Sequence, residues 1–114
     1  MPVRILLGMI DAEWKRLLMD VVESDSDLKV VGIAESAMDI LLQAEDRKAD
    51  VVVLAELPGG GEPGICSHLM LEYPNVAVVL LPCEPRYGVL RRMVLRKESW
   101  QEVSQEILLA ALKG

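Results

Sequence analysis

An α/β fold, a parallel sheet with helices on both faces, is predicted by three observations. Short apolar runs at Val3–Leu7, Leu28–Ile33, Val51–Ala55 and Val76–Leu81 alternate with stretches of helical periodicity. The connections between them are short. The run from Asp50 to Pro58 is apolar between a charge and the Pro58-Gly-Gly-Gly61 turn, the pattern of a strand buried on both faces. Strands and helices in strict alternation imply parallel pairing with right-handed crossovers.

The elements follow in order. Val3–Leu7 is a strand, and Gly8 to Asp11 a turn. In Ala12–Glu23 the apolar residues Trp14, Leu17, Leu18, Val21 and Val22 fall at i, i+3, i+4, i+7, i+8, one face of a helix. Ser24-Asp-Ser-Asp27 is a polar turn. Leu28–Ile33 is a strand whose Lys29 suggests an edge position. Ser36 caps a second helix, with Asp39 in capping-box position and Ala37, Ile40, Leu41 and Ala44 on its apolar face. Arg47 and Lys48 suit its negative C-terminal end. After the strand Val51–Ala55 and a glycine-rich loop, a third helix over about Ile65–Tyr73 turns Ile65, Leu69 and Tyr73 to one side. Pro74-Asn75 stops it, and Val76–Leu81 is a fourth buried strand ended by Pro82.

The last third reads in two ways. Arg86–Lys97 is either one helix or a short helix followed by a fifth strand at Met93–Arg96. The second is preferred, because it covers an otherwise exposed apolar strand. Ser99, with Glu102 three residues on, is expected to cap a final helix with Trp100, Val103, Ile107 and Ala111 on its apolar face.

Composition bounds the function. The 114 residues suit one domain, 1–114, and 52% apolar against 26% charged residues excludes a disordered chain. Phe is absent, so Val, Leu, Ile, Met and Ala build the core. A net charge of −6 argues against nonspecific nucleic-acid binding. No apolar run approaches the ~20 residues of a membrane-spanning helix. No signal-peptide pattern opens the chain, and the two cysteines, Cys66 and Cys83, make no disulfide framework. A cytoplasmic protein with reduced thiols is expected.

The segments Val3–Leu7, Leu28–Ala34, Ala49–Ala55 and Val76–Leu81, with the helices between them, resemble the receiver domain of bacterial response regulators, most closely receivers joined to helix-turn-helix output domains. The resemblance covers nearly the whole chain and weakens after Pro82. It implies a flavodoxin-like (CheY-like) three-layer α/β/α sandwich with a parallel five-stranded sheet in the order 2-1-3-4-5. The segment after Pro82 is several residues short, so a shortened fourth helix is expected.

The resemblance also implies a phosphorylation site: two acids on Mg²⁺ after the first strand, an acceptor Asp ending the third, a Thr or Ser after the fourth and a Lys after the fifth. The corresponding residues here are Met9 and Ile10, Ala55, Pro82 and Lys97. Only Lys97 keeps the chemistry. Met and Ile offer no hard oxygen to Mg²⁺, Ala55 has no nucleophile, and Pro82 has neither hydroxyl nor amide hydrogen. A degenerate receiver without catalytic residues, metal or cofactor is expected. It would act as a phosphorylation-independent protein-interaction module in bacterial signalling, and not as an enzyme.

Two alternatives are weighed against it. Asp11, Glu56 and Glu84 lie one or two positions beyond the lost groups and are displaced acids for an active receiver. However, an extended strand points Glu56 to the opposite face from Ala55. Alternatively, Gly59-x-Gly61-x-x-Gly64 makes the Pro58–Gly64 loop a candidate nucleotide or small-ligand site. Against that, Glu56-Leu-Pro58 separates it from the strand, and Pro63 removes an amide. Cys83 beside Glu84 is disfavoured as a redox group, Cys66 reads as packing, and His68, the only histidine, reads as a helix-surface residue.

Arg86, Arg91, Arg92, Arg96 and Lys97 form a run with no acid among them. It is either a solvated face or a docking surface for an acidic partner or a second copy of this chain. With the last helix, it is the expected interaction region. Membrane binding is not expected, nor nucleic-acid binding without an output domain.

Overall fold

The structure, a computed structural model, describes residues 1–58, 61–82, 88–94 and 97–114. The chain runs β1 (Val3–Gly8), α1 (Ala12–Glu23), β2 (Leu28–Ala34), α2 (Ala37–Asp46), β3 (Val51–Ala55), α3 (Ile65–Glu72), β4 (Ala77–Leu81), β5 (Val89–Val94), β6 (Lys97–Glu102) and α4 (Gln105–Lys113). One sheet holds all six strands in the order β2-β1-β3-β4-β5-β6.

Alternation along the strands sorts the core into two layers. Ile5, Leu7, Val51, Val53, Val79 and Leu81 pack under α1 and α4, against Trp14, Leu18, Leu108 and Leu112. Leu6, Val52, Leu54, Val78 and Leu80 pack under α2 and α3, against Ile40, Ala44, Cys66 and Leu69. The result is the expected three-layer α/β/α sandwich, with β3 and β4 buried on both faces.

Side-chain caps set the starts of three helices. The Asp11 carboxylate accepts from the Trp14 amide at 2.8 Å, and the Ser36 hydroxyl from the Asp39 amide at 3.1 Å. Asp39 reciprocates by accepting from the Glu35 amide at 3.2 Å. The α2 face is narrower than its spacing suggests: Ile40 and Ala44 are buried, whereas Ala37 is exposed.

The order 2-1-3-4-5 holds, but the sheet is not wholly parallel. β5 runs antiparallel to β4, with Leu80 opposite Arg91 and Val78 opposite Met93. Only residues 82–88 join the two strands, and a parallel return needs a crossover of about a dozen residues or more. The short helix expected between Arg86 and Met93 is not found over Val89–Arg92, which belong to β5; residues 83–87, 95 and 96 lie outside the described residues. The fifth strand therefore starts earlier than Met93, at Val89.

A sixth strand, unforeseen in the sequence, covers the outer side of β5. Lys97–Glu102 pairs with Val94–Val89, so Ser99 and Trp100 belong to a strand and not to the final helix. The cap of α4 is Ser104, whose hydroxyl accepts from the Ile107 amide at 3.1 Å. The Ser99–Glu102 spacing fits a capping box, but pairing along β5 overrides that local preference.

Candidate functional site

The carboxyl ends of β1, β3 and β4 converge where an open α/β sheet carries its chemistry. At the end of β1, Gly8 packs so closely that a Cβ there would lie 2.6 Å from Leu54 Cδ2 and 2.9 Å from Ile40 Cδ1. Met9 follows, its amide donating to the Ala34 carbonyl at 3.2 Å and its side chain 45% exposed. Ile10 is half-buried against the α1/α4 core layer. Ala55 ends β3, half-buried, and the Glu56 amide donates to the Leu81 carbonyl at 2.8 Å. Pro82 is buried after β4, and its carbonyl accepts from the indole Nε1 of Trp14 at 3.0 Å. The mouth is apolar where the resemblance asks for two acids, an acceptor and a hydroxyl. These residues do not fit Mg²⁺, which takes oxygen ligands. Among the described residues no group of three or more His, Cys, Asp or Glu side chains is placed to hold a metal ion.

The displaced acids are engaged elsewhere. Asp11 is the cap of α1. Glu56, 20% exposed, turns to Arg91, with Oε1 4.0 Å from Nη2. Glu62 approaches the same guanidinium from the loop before α3, Oε2 to Nη1 at 3.5 Å. The Arg91 side chain is only 11% exposed between them. Glu84 lies outside the described residues.

Lys97 is a correction. It opens β6 opposite Val94. Because β5 runs antiparallel to β4, this position is level with the amino end of the sheet, away from Ala55. On β5 the described cation toward the carboxyl end is Arg91. Two arginines inside the apolar run Val89–Val94 were the available signal, and a helical reading of that run hid it.

Of the basic run, the described arginines Arg91 and Arg92 do not share one surface. Successive strand residues face opposite ways. Arg91 lies with Glu56 and Glu62, whereas Arg92 Nε donates to the Ala111 carbonyl at 3.0 Å, in the last turn of α4. A cation there meets the negative end of the helix dipole. Arg86 and Arg96 lie outside the described residues.

The glycine loop closes on itself. The Leu57 amide donates to the Gly61 carbonyl at 3.0 Å and the Cys66 amide to the Pro63 carbonyl at 3.0 Å. Gly64, the N-cap of α3, supplies no side-chain cap. Gly59 lies outside the described residues. Glu62 adds a negative charge where a phosphate would need a positive field. Cys66 is fully buried; burial first, and the Glu62 carboxylate second, push its thiol up to about 12, with Arg91 acting the other way. It is a packing residue and no nucleophile at neutral pH. His68 lies on the exposed side of α3, 3.9 Å from Glu72. Cys83 lies outside the described residues. No described helix is long and apolar enough to cross a membrane.

Comparison with known proteins gives the fold. No protein-family model and no curated protein sequence matches the chain. Among solved structures, the chain is similar to the response regulator domain of Thermotoga maritima CheB, with a TM-score of 0.59 and 25% identity over 72% of this chain and 61% of that one. It is also similar to the isolated REC domain of RcsB from Salmonella enterica serovar Typhimurium with phosphomimetic BeF3⁻, with a TM-score of 0.61 and 10% identity over 75% of this chain and 64% of that one. The chain therefore spans under two thirds of the length of either and has a receiver-like, CheY-like fold.

Proposed function

We propose that this protein is a degenerate receiver that works as a non-catalytic, phosphorylation-independent interaction module in bacterial signalling. One observation carries the reading. At the carboxyl end of the sheet Met9, Ile10, Ala55 and Pro82 present no acid or hydroxyl, while two of the displaced acids, Asp11 and Glu56, are engaged by the Trp14 amide and by Arg91. A phosphoryl group has neither an acceptor nor a metal to deliver it there. The likeness to two response-regulator domains supports a role in signalling.

The partner, a different protein or a second copy, meets the chain at β6 and α4. β6 forms one edge of the sheet, and such edges accept partners more readily than covered strands. Arg91 and Arg92 are not the contact, because both guanidinium groups serve the fold. Incubation with acetyl phosphate and Mg²⁺, read by intact mass, is expected to leave the mass unchanged. A stable phospho-adduct on Asp11 or Glu56 would replace this reading with that of an active receiver using displaced acids.

A further inference from the structure

The sheet ends in β2 on one side and in β6 on the other. An edge strand offers main-chain donors and acceptors on which another strand can add. β2 invites such pairing by its composition: Val30, Val31 and Ile33 are β-branched, and no proline interrupts the strand.

Its free side is nonetheless occupied. The Ala34 carbonyl turns inward and accepts from the Met9 amide at 3.2 Å, so the Ile33 carbonyl before it turns outward, to the free edge. Gln43 of α2 reaches it there, Nε2 donating to the Ile33 carbonyl at 3.1 Å. The same nitrogen donates to Asp39 Oδ2 at 3.1 Å, and that oxygen also accepts from the Glu35 amide at 3.2 Å. Two acceptors hold the nitrogen end of the amide, and Oε1 lies over Gly32. A Cβ at Gly32 would collide with that oxygen, so the glycine is what lets the amide lie on the strand. Two further features lie towards the start of β2. Lys29 is exposed, and the pairing passes from Ile5–Val30 to Leu6–Gly32, which leaves Val31 unopposed. A charge, a bulge and a cover each keep an edge from pairing.

We propose that Gln43, held by Asp39 and seated over Gly32, closes the β2 edge to strand addition and confines main-chain pairing with another chain to β6. The closure of β2 stands on this geometry alone. Pairing at β6 rests on the functional reading above, and the two are read out at different residues.

The test follows amide spectra of the full, uniformly ¹⁵N-labelled chain over a concentration series, with sedimentation velocity alongside. In the parent, the Lys29–Ala34 amides should not move with concentration. Gln43→Ala removes the cover, and Gly32→Ala displaces it while Gln43 stays in the sequence. Each should shift and broaden the Lys29–Ala34 amides as concentration rises, with self-association at least about tenfold tighter than in the parent. Gln43→Lys should behave as the parent, because its ammonium can donate to the same two acceptors. Circular dichroism checks the fold of each variant, and the two alanine variants open the edge by different routes, so one decides if the other unfolds. Concentration-dependent shifts at Lys29–Ala34 in the parent, or none in a folded alanine variant, would overturn the closure. A phospho-adduct would strike the functional reading and leave the closure standing.

Discussion

Replacing Arg91 by methionine removes a guanidinium 11% exposed that faces Glu62 at 3.5 Å and Glu56 at 4.0 Å. A buried cation that loses its acids, or acids that lose their cation, are costly because desolvation is no longer offset. Both carboxylates retain some contact with solvent, which lowers the cost. Arg91→Met is expected to destabilise by about 1–3 kcal/mol in urea unfolding. Glu62→Gln, at the wetter end, should cost below about 1 kcal/mol. Adding Glu56→Gln to Arg91→Met should recover part of the loss, and strict additivity of the two changes would count against their coupling.

Cys66 gives a pH prediction of opposite character. Its folded thiol is raised from 9.0 to about 12, so its contribution is complete below pH 9. It is lost as pH climbs from 9 towards 12, because the unfolded chain ionises first. In a Cys83→Ser background, the remaining thiol should react with a disulfide reagent only as fast as the protein opens. Cys66→Ala should flatten the alkaline fall in stability, from a lower starting point because of the cavity it leaves. A fast-reacting Cys66 in the folded protein would contradict the burial.

Elements with one dominant signal were legible in the sequence. Apolar runs bounded by turns located β1, β3 and β4, and the 3.6-residue period located α1. The chain after Pro82 was not, because two signals competed there. Val89, Leu90, Met93 and Val94 suit a helix face as well as a strand buried on both sides. A good capping box at Ser99 pointed to the wrong helix start, since strand pairing is non-local and leaves no mark on spacing. The two serines make the difference measurable. Ser104→Ala should cost about 1 kcal/mol, because it leaves the Ile107 amide without its cap. Ser99→Ala, inside β6, should leave the helix content unchanged and cost under about 0.5 kcal/mol. The reverse ranking in thermal unfolding would restore the earlier helix start.

At the scale of the whole molecule, the losses at Met9, Ile10, Ala55 and Pro82 were legible, because an absent functional group needs no coordinates. Their replacement was not. Arg91 is a described cation near the carboxyl end of the sheet, which it reaches only because β5 runs antiparallel, while Lys97 is carried to the amino end. The same reversal bears on repair of the site. Ala55→Asp places a carboxylate at the end of β3, but a phosphoryl transfer there needs a metal to draw charge from the donor and a cation to hold the product oxygens. Met9 and Ile10 supply no metal ligand, Lys97 is at the far end of the sheet, and Arg91 is already faced by two carboxylates. Ala55→Asp alone should therefore take up no phosphoryl group from acetyl phosphate with Mg²⁺, and its intact mass should match that of an untreated control. Efficient, Mg²⁺-dependent phosphorylation of this single variant would mean that the end of the sheet keeps a working electrostatic site that its residues do not reveal.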